Sequence, residues 1–225
     1  MSKPGAREAI LASALKLFGE RGFDGVRNSE ILDDAGQRNQ TALQYHFGSR
    51  EGLYDAIMIE RLKVIDARRL EMMPAEARGD AALGFGACVR VLVEPLIDEV
   101  ETGPGGRDYI RFLRQFISRP GFDFVRMGGV LPYPGMKRMI AALDRHLAGM
   151  APERRAFAIS LMLQIAVTML CSWHLERPDA FDRARFMAAV TGACRSIQRS
   201  LSPSRQTRPV NPARPDPAAP PRAAR

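Results

Sequence analysis

Residues 35–53 read AGQRNQTALQYHFGSREGL, and no other run constrains the fold as tightly. Gly36 and Gly48 are two stop signals with room for only about two turns of helix between them. A helix that short does not hold together alone in water. Neighbouring helices must prop it, so its polar outer side needs a reason other than its own stability. The expected bounds are Gln40 to Phe47, with Asn39 as N-cap, Leu43 and Phe47 facing inward at i, i+4, and Gly48 as the stop.

The props can be read on either side. Ile10, Leu11, Ala14, Leu15, Leu17 and Phe18 recur with helical spacing, which predicts an amphipathic helix over residues 5–18. Gly19 and Gly22 are expected to end it, and Phe23 to fold back into the core. Asn28 is the expected N-cap of a second helix carrying Ile31, Leu32 and Ala35, closed by Gly36 as a left-handed residue. Ser49 caps a longer helix to about Met72, with Leu53, Ile57 and Leu62 inward. Further helices are expected over 81–100, 107–118 and 136–148, over 152–175 with Pro152 at its first position, and from Asp182 to Leu201. Residues 119–135 hold three prolines and four glycines, which predicts a loop or broken helix. The Pro-, Ala- and Arg-rich stretch 202–225 is expected to be disordered. No strand-length alternation competes, so the fold class is all-α.

Charge does not by itself identify a partner. The formal net charge is +8, but the tail's five arginines against Asp216 account for half of it. Residues 1–60 carry seven basic against nine acidic side chains, a balance of −2. Cys88, Cys171 and Cys194 are far apart and odd in number, which argues against a disulfide framework or zinc site and for a reducing compartment. The beginning of the chain lacks a secretory pattern, and the expected location is cytoplasmic. AFAISLMLQIAVTMLCSW, residues 156–173, has no charge and is long enough to span a bilayer. Ser160, Gln164, Thr168 and Ser172, however, recur every fourth residue. A polar stripe suits a helix packed between its own core and a second subunit better than one in lipid, and no membrane association is expected.

Two helices joined by a glycine turn, with a third packed on both, make the helix-turn-helix plan, whose second helix enters the major groove of DNA. With Leu43 and Phe47 inward, the outward residues are Gln40, Thr41, Gln44 and Tyr45. Glutamine can pair with adenine, and threonine can bond a base or touch a thymine methyl. His46 and Arg50 fall where phosphates would pass, so positioning groups flank reading groups. The bland alternative is a solvated face, with Tyr45 covering the core and His46 structural.

The residues then carry a resemblance. Ser13-Ala14-Leu15-Lys16-Leu17-Phe18-Gly19-Glu20-Arg21-Gly22-Phe23, then Ala35-Gly36, then Leu43-Gln44-Tyr45-His46-Phe47-Gly48-Ser49-Arg50-Glu51-Gly52-Leu53 resemble the N-terminal domain of the TetR family of bacterial transcriptional regulators. Residue by residue, the resemblance implies DNA contacts from Asn28, Ser29, Gln40, Thr41, Gln44, Tyr45, His46 and Arg50. It also implies a homodimer formed by the last two long helices and an apolar effector pocket among the middle ones. The turn Gly36-Gln37-Arg38-Asn39 is one residue longer than usual for the family. Gln44 replaces a frequent aromatic and Thr41 a frequent small residue, which points to a different operator.

The expected organisation is a helix-turn-helix DNA-binding domain over 1–52, an effector-binding and dimerisation domain over 53–201, and a tail over 202–225. The last helix adds Phe186, Met187, Val190, Cys194, Ile197 and Leu201 to an interface of two helices from each subunit. Candidate pocket residues are Phe85, Phe112, Phe116, Phe157, Met162, Met169 and Trp173. The expected function is a repressor that binds a palindromic operator as a homodimer and is released by a small apolar effector. The alternative is an α-helical small-molecule or protein-binding module without DNA function. No Ser/Cys–His constellation, HExxH or phosphate loop supports an enzyme, and no cofactor or metal is expected.

Overall fold

The computed structural model describes residues 5–73, 83–103, 105–175, 179 and 181–202. Every regular element among them is helical. The order is α1 (Ala6–Arg21), α2 (Asn28–Asp34), α3 (Ala42–Phe47), α4 (Arg50–Met72), α5 (Phe85–Thr102), α6 (Gly106–Ile117), α7 (Phe124–Val130), α8 (Pro134–Arg145), α9 (Pro152–Leu170) and α10 (Arg183–Leu201). Residues Cys171–Leu175 extend α9 by one wider π-helical turn.

Several bounds differ from those the sequence suggests. Gly19 does not end α1, which runs on to Arg21, and Gly22 at φ 82° takes the stop. Gly19 instead lies where α1 presses on α6, and a Cβ there would stand 2.8 Å from the Asp108 carbonyl oxygen. Arg27, not Asn28, occupies the N-cap position of α2, and the Glu30 carboxylate accepts from the Arg27 backbone N–H. The proline- and glycine-rich segment contains a short helix, α7, capped by Asp123. The tail beyond Ser202 lies outside the described residues.

Expected signals hold elsewhere. Gly36 and Gly48 are left-handed at φ 66° and 72°, a conformation costly to residues with a Cβ. Ser49 Oγ accepts from Gly52 N at 2.9 Å, and Asp182 caps α10 through Arg185 N. Leu53, Ile57 and Leu62 are buried. α4 is unbroken through residues 52 and 53, so no chain break marks the expected domain boundary.

α1 is fastened to the body as well as to α2 and α4. Gln115 of α6 donates to the Phe18 carbonyl and accepts from Phe23 N, bridging the end of α1. Phe18, Phe23, Tyr54 and Phe112 form one aromatic cluster there, Phe23 stacked on Tyr54 at 4.5 Å.

α9 runs between the core and the surface, with half of its most apolar window buried within the chain. Its polar residues split between two roles. Ser160 is buried and accepts from Phe124 N, and Gln164 donates to the Ile117 carbonyl, so these two hold α7 and α6. Thr168 and Ser172 alone face outward. The expected single stripe is therefore two partial ones.

Candidate nucleic-acid interface

α3 is six residues long and begins at Ala42, two residues later than the sequence suggests. Asn39 explains the delay. Its Oδ1 accepts from both the backbone N–H and the Oγ1 hydroxyl of Thr41, closing a local turn in which Gln40 and Thr41 sit ahead of the helix. Asn39 is thus a turn-former, and Thr41 holds the N-cap position.

The inner side of α3 is Ala42 and Leu43, both buried, with Phe47 half-buried beneath the Arg7 guanidinium at 5.6 Å. The outer side carries Gln44 and Tyr45, and Gln40 and Thr41 continue it through the turn. Tyr45 is 84% exposed, the most exposed of the large hydrophobic side chains. A ring of that size in open water lacks a folding role, and the reading of Tyr45 as core cover fails. His46 is half-buried, its ring edge-on to Tyr45 at 5.0 Å.

Asn28 and Ser29 are exposed at the start of α2. Asn28 is not idle: its Oδ1 accepts from Arg50 Nη1 at 2.7 Å. Arg50 departs most from expectation. Its guanidinium also donates to the Tyr54 hydroxyl and to the Phe23 and Val26 carbonyls, and lies over the Phe18 ring at 5.0 Å. An arginine engaged by four acceptors staples the loop between α1 and α2 to the start of α4, and is poorly placed to reach a phosphate.

Arg27 and Arg38, by contrast, are exposed, and neither guanidinium has an acceptor among the described residues. They flank α2 and stand in the turn before α3. The signal available in the sequence was the place of Arg27 just before α2 and of Arg38 in the glycine turn, where they counted only as charge. Two nearby acids are paired: Asp34 with Lys16 at 2.8 Å and Glu30 with Arg21 at 2.7 Å. The hydrogen bond from Lys16 holds the Asp34 carboxyl below its ordinary pKa, and that from Arg21 does the same for Glu30.

Six of the seven pocket candidates lie in or against one hydrophobic core, and Phe157 stands apart from it. Phe112 belongs to the aromatic cluster under α1, with Phe116 stacked on it. Phe85 packs edge-on to His146, and Trp173 edge-on to Phe186. Met162 is fully buried and Met169 half-buried. Phe157 is 58% exposed and lines a 570 Å³ groove beside α7. A second groove, 660 Å³, lies between α4 and α5 and is lined by other residues, among them Val64, Ile65, Pro95 and Glu99.

A propped short helix with an outward polar and aromatic side, mounted on a larger helical body, is the architecture of helix-turn-helix regulators. Comparison makes the assignment specific. The model of the "Bacterial regulatory proteins, tetR family" matches residues 10–57, and that of the "Tetracyclin repressor-like, C-terminal domain" matches residues 90–197. The chain belongs to the TetR family. Over 58 residues it is 40% identical to the HTH-type transcriptional regulator RutR of Escherichia coli K12, and equally so to RutR of Shigella flexneri. Those matches cover 26% of this chain and 27% of each relative. A TetR-family transcription regulator from Shewanella sp. PV-4 shares the fold at a TM-score of 0.59 and 16% identity, over 89% of this chain and 100% of that one.

Proposed function

We propose that the protein is a DNA-binding transcriptional repressor that acts in the cytoplasm as a homodimer on a palindromic operator and is released by a small molecule. The observation that carries the reading is the exposure of Tyr45 beside Gln44, on a helix whose opposite side is buried in the core. Gln40, Thr41 and Gln44 read base edges, while Tyr45 and His46 touch the backbone and fix register. Asn28 and Ser29 meet the backbone at the start of α2. Arg27 and Arg38 supply the phosphate contacts in place of Arg50, which acts as a positioning residue.

Two heads on one operator require a dimer. The outer faces of α9 and α10 support one. α9 presents Phe157, Leu161, Ile165 and Thr168, and α10 presents Ala184, Ala188, Gly192 and Ser196, all at least partly exposed in the single chain. Small residues on α10 let a partner helix approach closely, and the apolar side chains of α9 gain burial. The effector must bind the DNA-incompetent arrangement of the heads more tightly, since equal affinity shifts nothing.

The test is selection of bound fragments from random duplex DNA by the full chain, followed by affinity measurement on the recovered sequence. A two-fold symmetric site is expected, and Tyr45→Ala with His46→Ala should weaken binding strongly while leaving thermal stability unchanged. Normal affinity in that double variant would remove α3 from the interface.

A further inference from the structure

Two buried side chains, one on α4 and one on α6, carry donors with no acceptor among the described residues. Arg69 is 1% exposed, and its Nε and Nη1 have no hydrogen-bond partner among the described residues. The hydroxyl of Tyr109, on a side chain that is fully buried, is also unpartnered. Neighbouring acids do not fill the gap. Both carboxylate oxygens of Asp66, three residues before Arg69, accept from the backbone N–H groups of Gly135 and Met136 at the start of α8. Glu99 of α5 is held by Arg61, whose guanidinium lies over the Tyr109 ring at 5.9 Å.

A buried charge without an acceptor is among the costliest arrangements in a protein interior. Burial lowers the Arg69 pKa to about 10, with Tyr109 and Asp66 acting against the shift as its electrostatic neighbours. Burial raises the Tyr109 phenol well above its ordinary range. Both groups therefore remain donors at neutral pH. They are electrostatic neighbours, and with His174 Nδ1 they make up the buried side-chain polar atoms that have no hydrogen-bond partner among the described residues.

We propose that Arg69 and Tyr109 form the acid-recognition subsite of the effector pocket, so that the effector is an organic monocarboxylate with an apolar body. The inference rests on the reading of the protein as a ligand-released regulator. The two oxygens of a carboxylate match the Nε and Nη1 edge of a guanidinium, and a third donor from Tyr109 completes the shell. Phosphate fits less well, because it brings up to two negative charges into a site that offers one positive charge. The groove between α4 and α5 reaches Ile65, one helical turn from Arg69; Val64, Ile65, Ala67 and Pro95 give it an apolar strip between charged walls that include Glu60, Glu71, Asp98 and Glu99.

The test measures thermal unfolding of the full chain with octanoate and phenylacetate, with their neutral amides, and with inorganic phosphate. Saturating carboxylate should raise the wild-type Tm by about 2–4 °C or more, while the amides and phosphate leave it unchanged. Arg69→Met should abolish the carboxylate response and, without ligand, match or exceed the wild-type Tm because an unpaired buried charge is gone. Tyr109→Phe should fold normally and weaken the response about tenfold. The proposal is overturned if amides or phosphate shift Tm as much as the carboxylates, or if neither carboxylate shifts it. It is equally overturned if Arg69→Met unfolds or loses stability, because the guanidinium then already has a partner in the chain. None of these readouts involves DNA. A missing response with operator binding intact removes the acid subsite alone; a full response without DNA binding removes the regulator reading alone.

Discussion

Arg50 and Tyr45 lie five residues apart and do opposite work. Arg50 directs its charge inward to four acceptors, whereas Tyr45 directs its ring outward to solvent. Arg50→Ala should therefore destabilise the chain by about 2–4 kcal/mol, read as a lower midpoint in urea, because two loop carbonyls and a tyrosine hydroxyl lose their donor together. Arg50→Lys should recover little, since an ammonium does not reproduce the fork. Arg38→Ala should leave the urea midpoint unchanged but reduce the salt dependence of operator binding by about one unit of slope. A reduced slope for Arg50→Ala with unaltered stability would reverse the two assignments. The cysteines belong to a third kind of residue: all three are buried thiols outside any disulfide, and burial pushes the Cys194 thiol up to about 12. Native protein should resist alkylation at neutral pH until denaturant is added.

Glycine has different consequences in different helices. In α1, Gly19 faces the backbone of α6, and an added Cβ meets the Asp108 carbonyl oxygen at 2.8 Å and its Cα at 3.0 Å. In α7, Gly129 has nothing within 4 Å. Intrinsic preference for alanine over glycine is about 0.8–1 kcal/mol inside a helix. Gly129→Ala should therefore stabilise by roughly that amount, whereas Gly19→Ala should destabilise by about 1–3 kcal/mol because backbone cannot move aside cheaply. Paired thermal melts of the two variants decide the matter, and equal shifts of the same sign would mean that α1 does not press on α6. That contact also ties the end of α1 to Gln115, so the head and the body move together at this point.

The proposed dimer uses the outer faces of α9 and α10. Phe157 and Ala188 are exposed in the single chain, so charge placed there costs its folding little. Phe157→Glu combined with Ala188→Glu should convert a dimer to a folded monomer in sedimentation and abolish operator binding, because a single head makes too few contacts. A wild-type chain that sediments as a monomer at high concentration would end the two-headed reading.

Much of this was legible in the residues themselves. Helical periodicity, two left-handed glycines and the Ser49 and Asp182 caps are local effects, decided within a few residues, and they fixed the all-α class and placed α3 between its stops. The outward position of Gln44 and Tyr45 followed from the burial of Leu43. What local pattern could not reveal was how long side chains are used. An arginine at a helix start looks alike whether it reaches a phosphate or folds back onto the Phe23 and Val26 carbonyls. Ser160 and Gln164 look like a surface stripe until α7 and α6 are packed against them. Aromatic residues on α5, α6 and the extended α9 look alike in sequence whether they line a pocket or fill the interior, and packing sets Phe85, Phe112, Phe116 and Trp173 in or against one core while Phe157 stays exposed. Spacing along the chain determined which elements form, whereas contacts between residues far apart in sequence decided which donors are satisfied and which, like Arg69, are left without a partner.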